Sequence, residues 1–460
     1  MDWYYYIALT LILSQLLFSV QVYNNYRYAL KKYKRNRSWY RPRTALLVPC
    51  KGLDPAFQKN VTSFFNQDYE NYLLWFVVAD KSDPAYDELC KLKDQLSQSS
   101  KADNVQIFVA GKINEHRLSA VASAKAEASL VRRSFSEGGS NEHQSCSQKI
   151  RNLLYCYERI GDDVEVLAFA DSDICVRSDW LSHIVYPLRQ AKNGAASGYR
   201  WFVPKKNNLA SLALSAVNAK IAQLLGNTRF NQAWGGSMAI RVDVFRRLGL
   251  DKIWPKTLSD DLSLSFSVKK AGMKVAFVPA CLVASYEYTT WPKLFEFGRR
   301  QFLITRISAP GTWWFGLCSS LYSVLGLWAG AALAIYAATK SQIDNRHLAI
   351  FILVPILFFT GQFIRAVLRQ KMADKLLKYE PRLSRAEPVV SEVEPSRGAT
   401  SNEQRTMKAA CAADILFFWL WSLLLLFFII SSAFGRTIQW RGIRYKLLGP
   451  TRTIILSKDP

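Results

Sequence analysis

Leu167-Ala168-Phe169-Ala170-Asp171-Ser172-Asp173 is an apolar run that stops on two carboxylates one residue apart. An uninterrupted apolar run of this length reads as a strand buried on both faces, and the acids mark where it leaves the core. Two other stretches share the arrangement: Val77-Val78-Ala79-Asp80, and Leu258-Ser259-Asp260-Asp261-Leu262, where the acids open a helix. Carboxylate oxygens at such ends suit a hard divalent cation, Mg2+ or Mn2+, and such a cation neutralises a diphosphate.

Outward from this stretch, short apolar runs at 44–49, 73–79, 104–110 and 165–171 alternate with helical periods at 55–66, 83–96 and 148–160. Continuous apolar strands separated by helices predict an α/β fold with a mostly parallel sheet covered on both faces. Ligands of such sheets bind beyond the carboxyl ends of the strands, where Pro49, Asp80 and Asp171 stand.

The chain has 460 residues, and four stretches approach the ~18–20 apolar residues that cross a bilayer. They are 3–23, 313–339, 348–367 and 412–434. The first has no small-residue cleavage site, so it reads as an anchor. The organisation expected is an anchor at 1–25, an α/β domain at 43–290, an amphipathic interfacial helix at 291–310, and membrane helices over 311–435. A basic tail at 436–460 follows. The stretch 111–146, with Gly138-Gly139, reads as an inserted connection, and 378–405 as a disordered loop whose composition builds no core. The interfacial helix mixes Phe295, Phe297, Phe302 and Ile304 with Arg299, Arg300 and Arg306. Basic residues flank the last apolar stretch as well as the first, so the last is expected to be re-entrant or interfacial.

The net charge of +24 is densest directly after the first apolar stretch, at Arg27, Lys31, Lys32, Lys34, Arg35, Arg37, Arg41 and Arg43. Cations beside a span mark the cytosolic side and attract an anionic membrane surface. No zinc-finger or RNP pattern is present, so nucleic acid is not the expected partner. The eight cysteines and four histidines lack CxxC or ligand spacing, which argues against a disulfide framework or a zinc site.

Further pieces follow in order: Pro49-Cys50-Lys51-Gly52-Leu53-Asp54-Pro55, Phe64-Phe65-Asn66-Gln67-Asp68-Tyr69, Ser147-Gln148-Lys149-Ile150-Arg151-Asn152, Trp234-Gly235-Gly236-Ser237, and Gln439-Trp440-Arg441-Gly442. With the three acidic stretches, this ordered set resembles the lipid-directed and processive family-2-type glycosyltransferases of GT-A fold, and most closely the ceramide glucosyltransferases of family 21. The resemblance implies an inverting transfer of a hexose, glucose from UDP-glucose, to ceramide or a similar membrane lipid at the cytosolic face. It implies that Asp80 holds the uracil end of the UDP-sugar, that Asp171 and Asp173 hold ribose or diphosphate through the metal, and that Asp261 is the catalytic base. Arg300 and Gln301 would clamp the leaving UDP, and Trp234, Gly235 and Gly236 would line the sugar or acceptor pocket. Lys149 and Asn152, on the helix before the second acidic strand, are expected to touch diphosphate or ribose.

Asp260 and Asp261 are expected to point apart, as adjacent helical residues do, and an N-terminal cap is the structural alternative for either. The family's Q/R-x-x-R-W motif is incomplete: the chain reads Arg300-Gln301-Phe302-Leu303-Ile304 with no tryptophan. Two rival readings are a processive polysaccharide synthase, which would need more spans, and an inactive membrane scaffold or lipid-binding protein that keeps the GT-A shape.

Overall fold

A computed structural model describes residues 2–33, 39–54, 56–112, 146–339, 345–377, 401–440 and 443–458. The expected connection at 111–146 and loop at 378–405 lie mostly outside the described residues, although 401–405 begin a helix.

Seven strands form one sheet: β1 (Thr44–Pro49), β2 (Tyr72–Val78), β3 (Asn104–Val109), β4 (Val166–Ala170), β5 (Asn193–Pro204), β6 (Ser237–Arg241) and β7 (Lys274–Glu287). Their order is β3-β2-β1-β4-β6-β5-β7. β1 runs parallel to β2 and β4, β2 to β3, and β5 to β7, while β6 is antiparallel to both neighbours. The mostly parallel sheet is therefore present, and the reversed β6 is the feature the apolar pattern did not disclose. Along β1 the period of two divides the residues between cores: Leu46 and Val48 meet Phe64, Phe76 and Trp180 on one face, and Ala45 and Leu47 meet Phe169, Phe245 and Trp254 on the other. With both faces covered, β2 and β4 are buried along their whole length.

The helices that place the site are α1 (Asp2–Tyr33), α2 (Phe57–Phe65), α3 (Pro84–Leu96), α4 (Gln148–Tyr157), α5 (Leu209–Ala222), α6 (Asp260–Lys270) and α7 (Trp291–Ser308). The chain then forms α8 (Pro310–Ala338), α9 (Asn345–Leu377), α10 (Ser401–Leu416) and α11 (Phe418–Ser431). Among the described residues, three helices are long and apolar enough to cross a membrane: Tyr5–Tyr33, Pro310–Ala338 and His347–Leu377. A 29-residue helix is roughly 44 Å long at its usual rise, more than the ~30 Å of bilayer hydrocarbon. The fourth apolar stretch is not a straight rod, because α10 and α11 meet at an angle of 85°.

α7 lies on α11 through Gly298, where a Cβ would come within 2.7 Å of the Phe428 ring. Residues 437–458, read as a basic tail, build a three-stranded antiparallel sheet of β8 (Thr437–Trp440), β9 (Ile443–Gly449) and β10 (Arg452–Lys458). Its apolar side, Ile438, Tyr445 and Leu447, packs on Leu303 and Ile304 of α7 and on Leu258, just before α6. The alternation in Ile443-Arg444-Tyr445-Lys446-Leu447 carried that strand signal beneath the charge. The small sheet thereby ties the membrane-side helix α7 to the loop that presents Asp260 and Asp261.

Candidate active site

Parallel pairing of β1, β2 and β4 brings the loops after Pro49, Val78 and Ala170 to one edge of the sheet. Asp171 follows β4 immediately. β6 pairs antiparallel with β4, Ala170 opposite Ser237, so the residues before Ser237 must lie beside Asp171. The Asp171 amide donates to the Gly236 carbonyl at 3.3 Å. The glycine pair leaves these side chains room to meet. A Cβ on Gly236 would stand 2.8 Å from Asp171 Oδ2, and one on Gly235 would stand 2.6 Å from Asp260 Oδ2 and 2.7 Å from Lys149 Nζ.

Lys149 is the centre of the charge arrangement. Ser147 caps α4, its hydroxyl accepting from the Ile150 amide, and this fixes Lys149 in the first turn. Its Nζ lies 2.7 Å from Asp171 Oδ1 and 3.1 Å from Asp260 Oδ2. The carboxylates raise the lysine above its ordinary range against the opposing effect of burial. Asp260 is buried, and its Oδ2 makes no hydrogen bond of good geometry. Burial lifts its carboxyl to about 6, with Asp261 and Asp171 adding to the rise and Lys149 opposing it.

Asp261 is held differently. Its Oδ2 accepts from the Gly235 amide at 3.0 Å, and its Oδ1 accepts from the Leu262 amide at 2.7 Å and from the Ser259 hydroxyl. Ser259 is the helix cap, its hydroxyl accepting from Leu262. The two acids do not diverge as adjacent helical positions would: they stand at the helix mouth, and both reach the Gly235 segment.

Asp173 is on the open rim of the same loop. Loss of hydration raises its carboxyl to about 6, and so do the charges of Asp171 and Asp54. Its open face makes the like-charge repulsion the firmer cause. Among the described residues, no three His, Cys, Asp or Glu side chains are grouped to hold a metal by themselves.

The other expected residues take varied places. Asp80 is half-buried at the β2–α3 turn, accepting from the Ser82 amide at 2.8 Å and paired with Lys112 at 3.1 Å; these hydrogen bonds hold it down to about 2. Asp83, not Asp80, caps α3. Asn152 is turned inward, its Nδ2 towards the Val77 carbonyl at 3.5 Å and its Oδ1 accepting from Gln148 at 2.8 Å. Arg300 pairs with Glu296 at 3.1 Å, and burial, with help from Arg200, lowers its pKa. Gln301 is exposed. Arg306 instead donates to the carbonyls of Ala433 and Gly435, closing the end of α11.

Arg200 and Tyr199 of β5 escaped the sequence reading. The Arg200 guanidinium lies over Phe202 (4.5 Å), Phe297 (5.7 Å) and Trp234 (5.8 Å), and its charge reaches Asp173 and Arg300. Tyr199 meets Trp234 edge-on at 6.3 Å. The only signal was a cation inside an otherwise apolar strand.

Among solved structures, the chain is similar to a mannosyltransferase from Pyrobaculum calidifontis in complex with GDP-Man and Mn2+, at 12% identity and TM-score 0.37, over 93% of this chain and 96% of that one. It is also similar to GalNAc-T7 with UDP, GalNAc and Mn2+, at 12% identity and TM-score 0.32, over 58% and 51%. Both likenesses are too remote to argue from. The sequence profile of Glycosyl transferase family 21 matches residues 8–102 and 138–453. It leaves out 103–137, which holds β3 and most of the connection read as an insertion, and it spans all three acidic stretches, the glycine pair and the first two strands of the small C-terminal sheet. The resemblance to family 21 carried by the ordered motifs is borne out. The chain belongs to glycosyl transferase family 21.

Proposed function

We propose that the chain is an inverting, metal-dependent enzyme that transfers a hexose, glucose from UDP-glucose, to the hydroxyl of ceramide or a similar membrane lipid. The observation that carries this reading is the Asp171–Lys149–Asp260 link standing against two glycines, where an added Cβ would crowd the same carboxylates and lysine. Such a site has carboxylates to spare and backbone room for a ligand.

The carboxylates suit a divalent cation. Asp173 and Asp260 are both raised, and Lys149 alone neutralises Asp171 and Asp260, so the loop holds more negative charge than its own cations balance. Asp171 and Asp173 would supply two oxygens, and diphosphate oxygens the rest, the usual habit of Mg2+ and Mn2+ at phosphate sites. Bound there, the ion would offset charge developing on the departing UDP. Arg300, and Arg200 beside it, would add cationic donors from the membrane side. Asp80 would receive the uracil end, with Lys149 and Asn152 on the helix behind the diphosphate, Gln301 at the UDP clamp, and Trp234 walling the sugar.

Asp261 is the proposed base. It must accept the proton of the acceptor hydroxyl as that oxygen attacks the anomeric carbon from the face opposite UDP. The Gly235 amide and Ser259 hydroxyl orient its carboxylate. Asp260, paired with Lys149, would instead balance charge near the diphosphate. The basic residues in the last turns of α1 and beyond it favour a cytosolic catalytic block on a chain that would cross the membrane several times. UDP release by the full chain, with and without ceramide and Mg2+ or Mn2+, tests the reading. Ceramide-stimulated release with a glycolipid product supports it. Release with a polymer product points to a polysaccharide synthase, and no release under any condition to an inactive scaffold.

A further inference from the structure

A second concentration of charge lies away from the acidic loops, between the membrane helices. Gln362, Arg365 and Arg369 recur on one face of α9 and are 3%, 6% and 2% exposed. Gln362 lies near the end of the apolar run 348–364 and the two arginines follow it, at the level where a span would leave hydrocarbon for the headgroups. Long basic side chains at that level ordinarily reach outward to water. These two arginines do not; they are enclosed by α1, α5, α8, α10 and α11.

The charges there do not balance. Arg369 is satisfied: its Nε lies 2.6 Å from Asp414 Oδ2 in a two-point pair, and Gln370 donates to the same carboxylate at 2.7 Å. Lys220 of α5 donates only to a neutral partner, the Ser422 hydroxyl at 2.9 Å. Arg365 lies over the Phe18 ring at 4.7 Å, and its Nη1 is buried with no hydrogen-bond partner. Asp414 is the one carboxylate ion-paired within this group among the described residues. Two guanidinium groups and the Lys220 amine therefore share one anion. Lys220, Arg365 and Arg369 line one cavity of about 70 Å³, which the side chains of Ser319, Ser320 and Ser323 also border. The cavity holds far more than the roughly 10–15 Å³ that admits one water, and it offers hydroxyls as well as cations.

Leaving a guanidinium nitrogen buried and unpartnered is costly unless an anion completes it. We propose that this cavity binds a phosphate group, the unpartnered Arg365 guanidinium and the Lys220 amine, which would take up a proton beside an anion, matching a phosphate mono- or dianion. The group can belong to an anionic lipid headgroup reached from the bilayer, or to phosphate free in solution. The site is separate from the acidic loops, and it stands whether or not the proposed transfer reaction does.

The test uses the full chain, delipidated in neutral maltoside micelles, and follows its thermal unfolding midpoint at constant ionic strength. One arm adds inorganic phosphate against chloride; the other adds dioctanoyl phosphatidylglycerol against dioctanoylglycerol, which has no phosphate. A ligand of the folded state raises the midpoint saturably. The expected result is a rise with phosphatidylglycerol and none with dioctanoylglycerol. A rise with inorganic phosphate as well identifies a small-anion site, and a rise with the lipid alone identifies a headgroup site. Arg365→Gln should weaken the apparent affinity at least tenfold while its midpoint without phosphate equals or exceeds the parent's, because an uncompensated cation has gone. If Arg365→Gln does not fold, Lys220→Met must show the same loss of affinity. No phosphate-dependent rise in the parent, or variants that respond as the parent does, overturns the proposal.

Discussion

Lys149 holds two acids of the candidate site together, so its removal has a computable consequence. Unit charges 3.1 Å apart, as between Lys149 Nζ and Asp260 Oδ2, attract by roughly 5 kcal/mol at an effective dielectric of about 20. Water reaches this pair, the Lys149 side chain being 23% exposed, and screening reduces the net coupling to about 1–3 kcal/mol. Lys149→Met should therefore destabilise the chain, since it leaves Asp171 and Asp260 facing each other without a cation. Asp260→Asn in the Lys149→Met background should recover part of that loss. The assay is a double-mutant cycle on the full chain in micelles, read from unfolding midpoints and, independently, from UDP affinity with and without Mg2+. Added Mg2+ should stabilise Lys149→Met more than the parent, because the ion finds more unbalanced charge. Effects of the two substitutions that add within about 0.5 kcal/mol would refute the link.

Asp173→Asn should keep the fold yet lose most of the metal-dependent part of UDP binding; equal affinity with and without chelator in parent and variant would remove Asp173 as a ligand. The unfolding midpoint should carry the mark of Asp260. Its carboxyl is raised from 3.8 to about 6 on folding, so between those values the folded chain binds a proton that the unfolded chain does not. The stability from this group is fully present below pH ~4 and lost as pH rises through ~6, and Asp260→Asn should flatten that part of the profile. For topology, exposed Cys175, in the loop beyond Asp173, should react with an impermeant maleimide from the cytosolic side only; labelling from the opposite side alone would reverse the orientation and the source of donor. The Gly138-Gly139 stretch offers a second labelling position, outside the described residues.

Much of the sheet was legible because burial on both faces forces continuous apolar runs. β1 was read to the residue, and β2, β3 and β4 to within one residue at each end. β6 was not, since Ser237-Met238-Ala239-Ile240-Arg241 is equally apolar whichever way it runs. The last apolar stretch was read as re-entrant or interfacial from the basic residues around it, while the place of the bend, at Phe417 where α10 ends and α11 begins, has no signal in its composition. In the site, the acids announced themselves by position at element ends. Their division of labour did not: that Asp260 meets Lys149 while Asp261 meets the Gly235 amide depends on how α6 enters the cleft. Arg200 was invisible for a related reason, because its importance lies in Phe297 and Trp234, remote in sequence, closing around it.

The central claim is that Asp261 takes the proton from the acceptor. Glycosyl transfer from UDP-glucose to ceramide should be measured for the parent, Asp261→Asn and Asp260→Asn, beside UDP affinity for each. Asp261→Asn keeps the carboxylate's shape without its basicity. Its transfer should fall by the roughly 10²–10⁴-fold typical of acid–base catalysis while UDP binding holds. Asp260→Asn should act mainly on UDP and metal binding. Transfer by Asp261→Asn at the parent's rate, or its loss in Asp260→Asn alone with UDP affinity intact, would contradict the account.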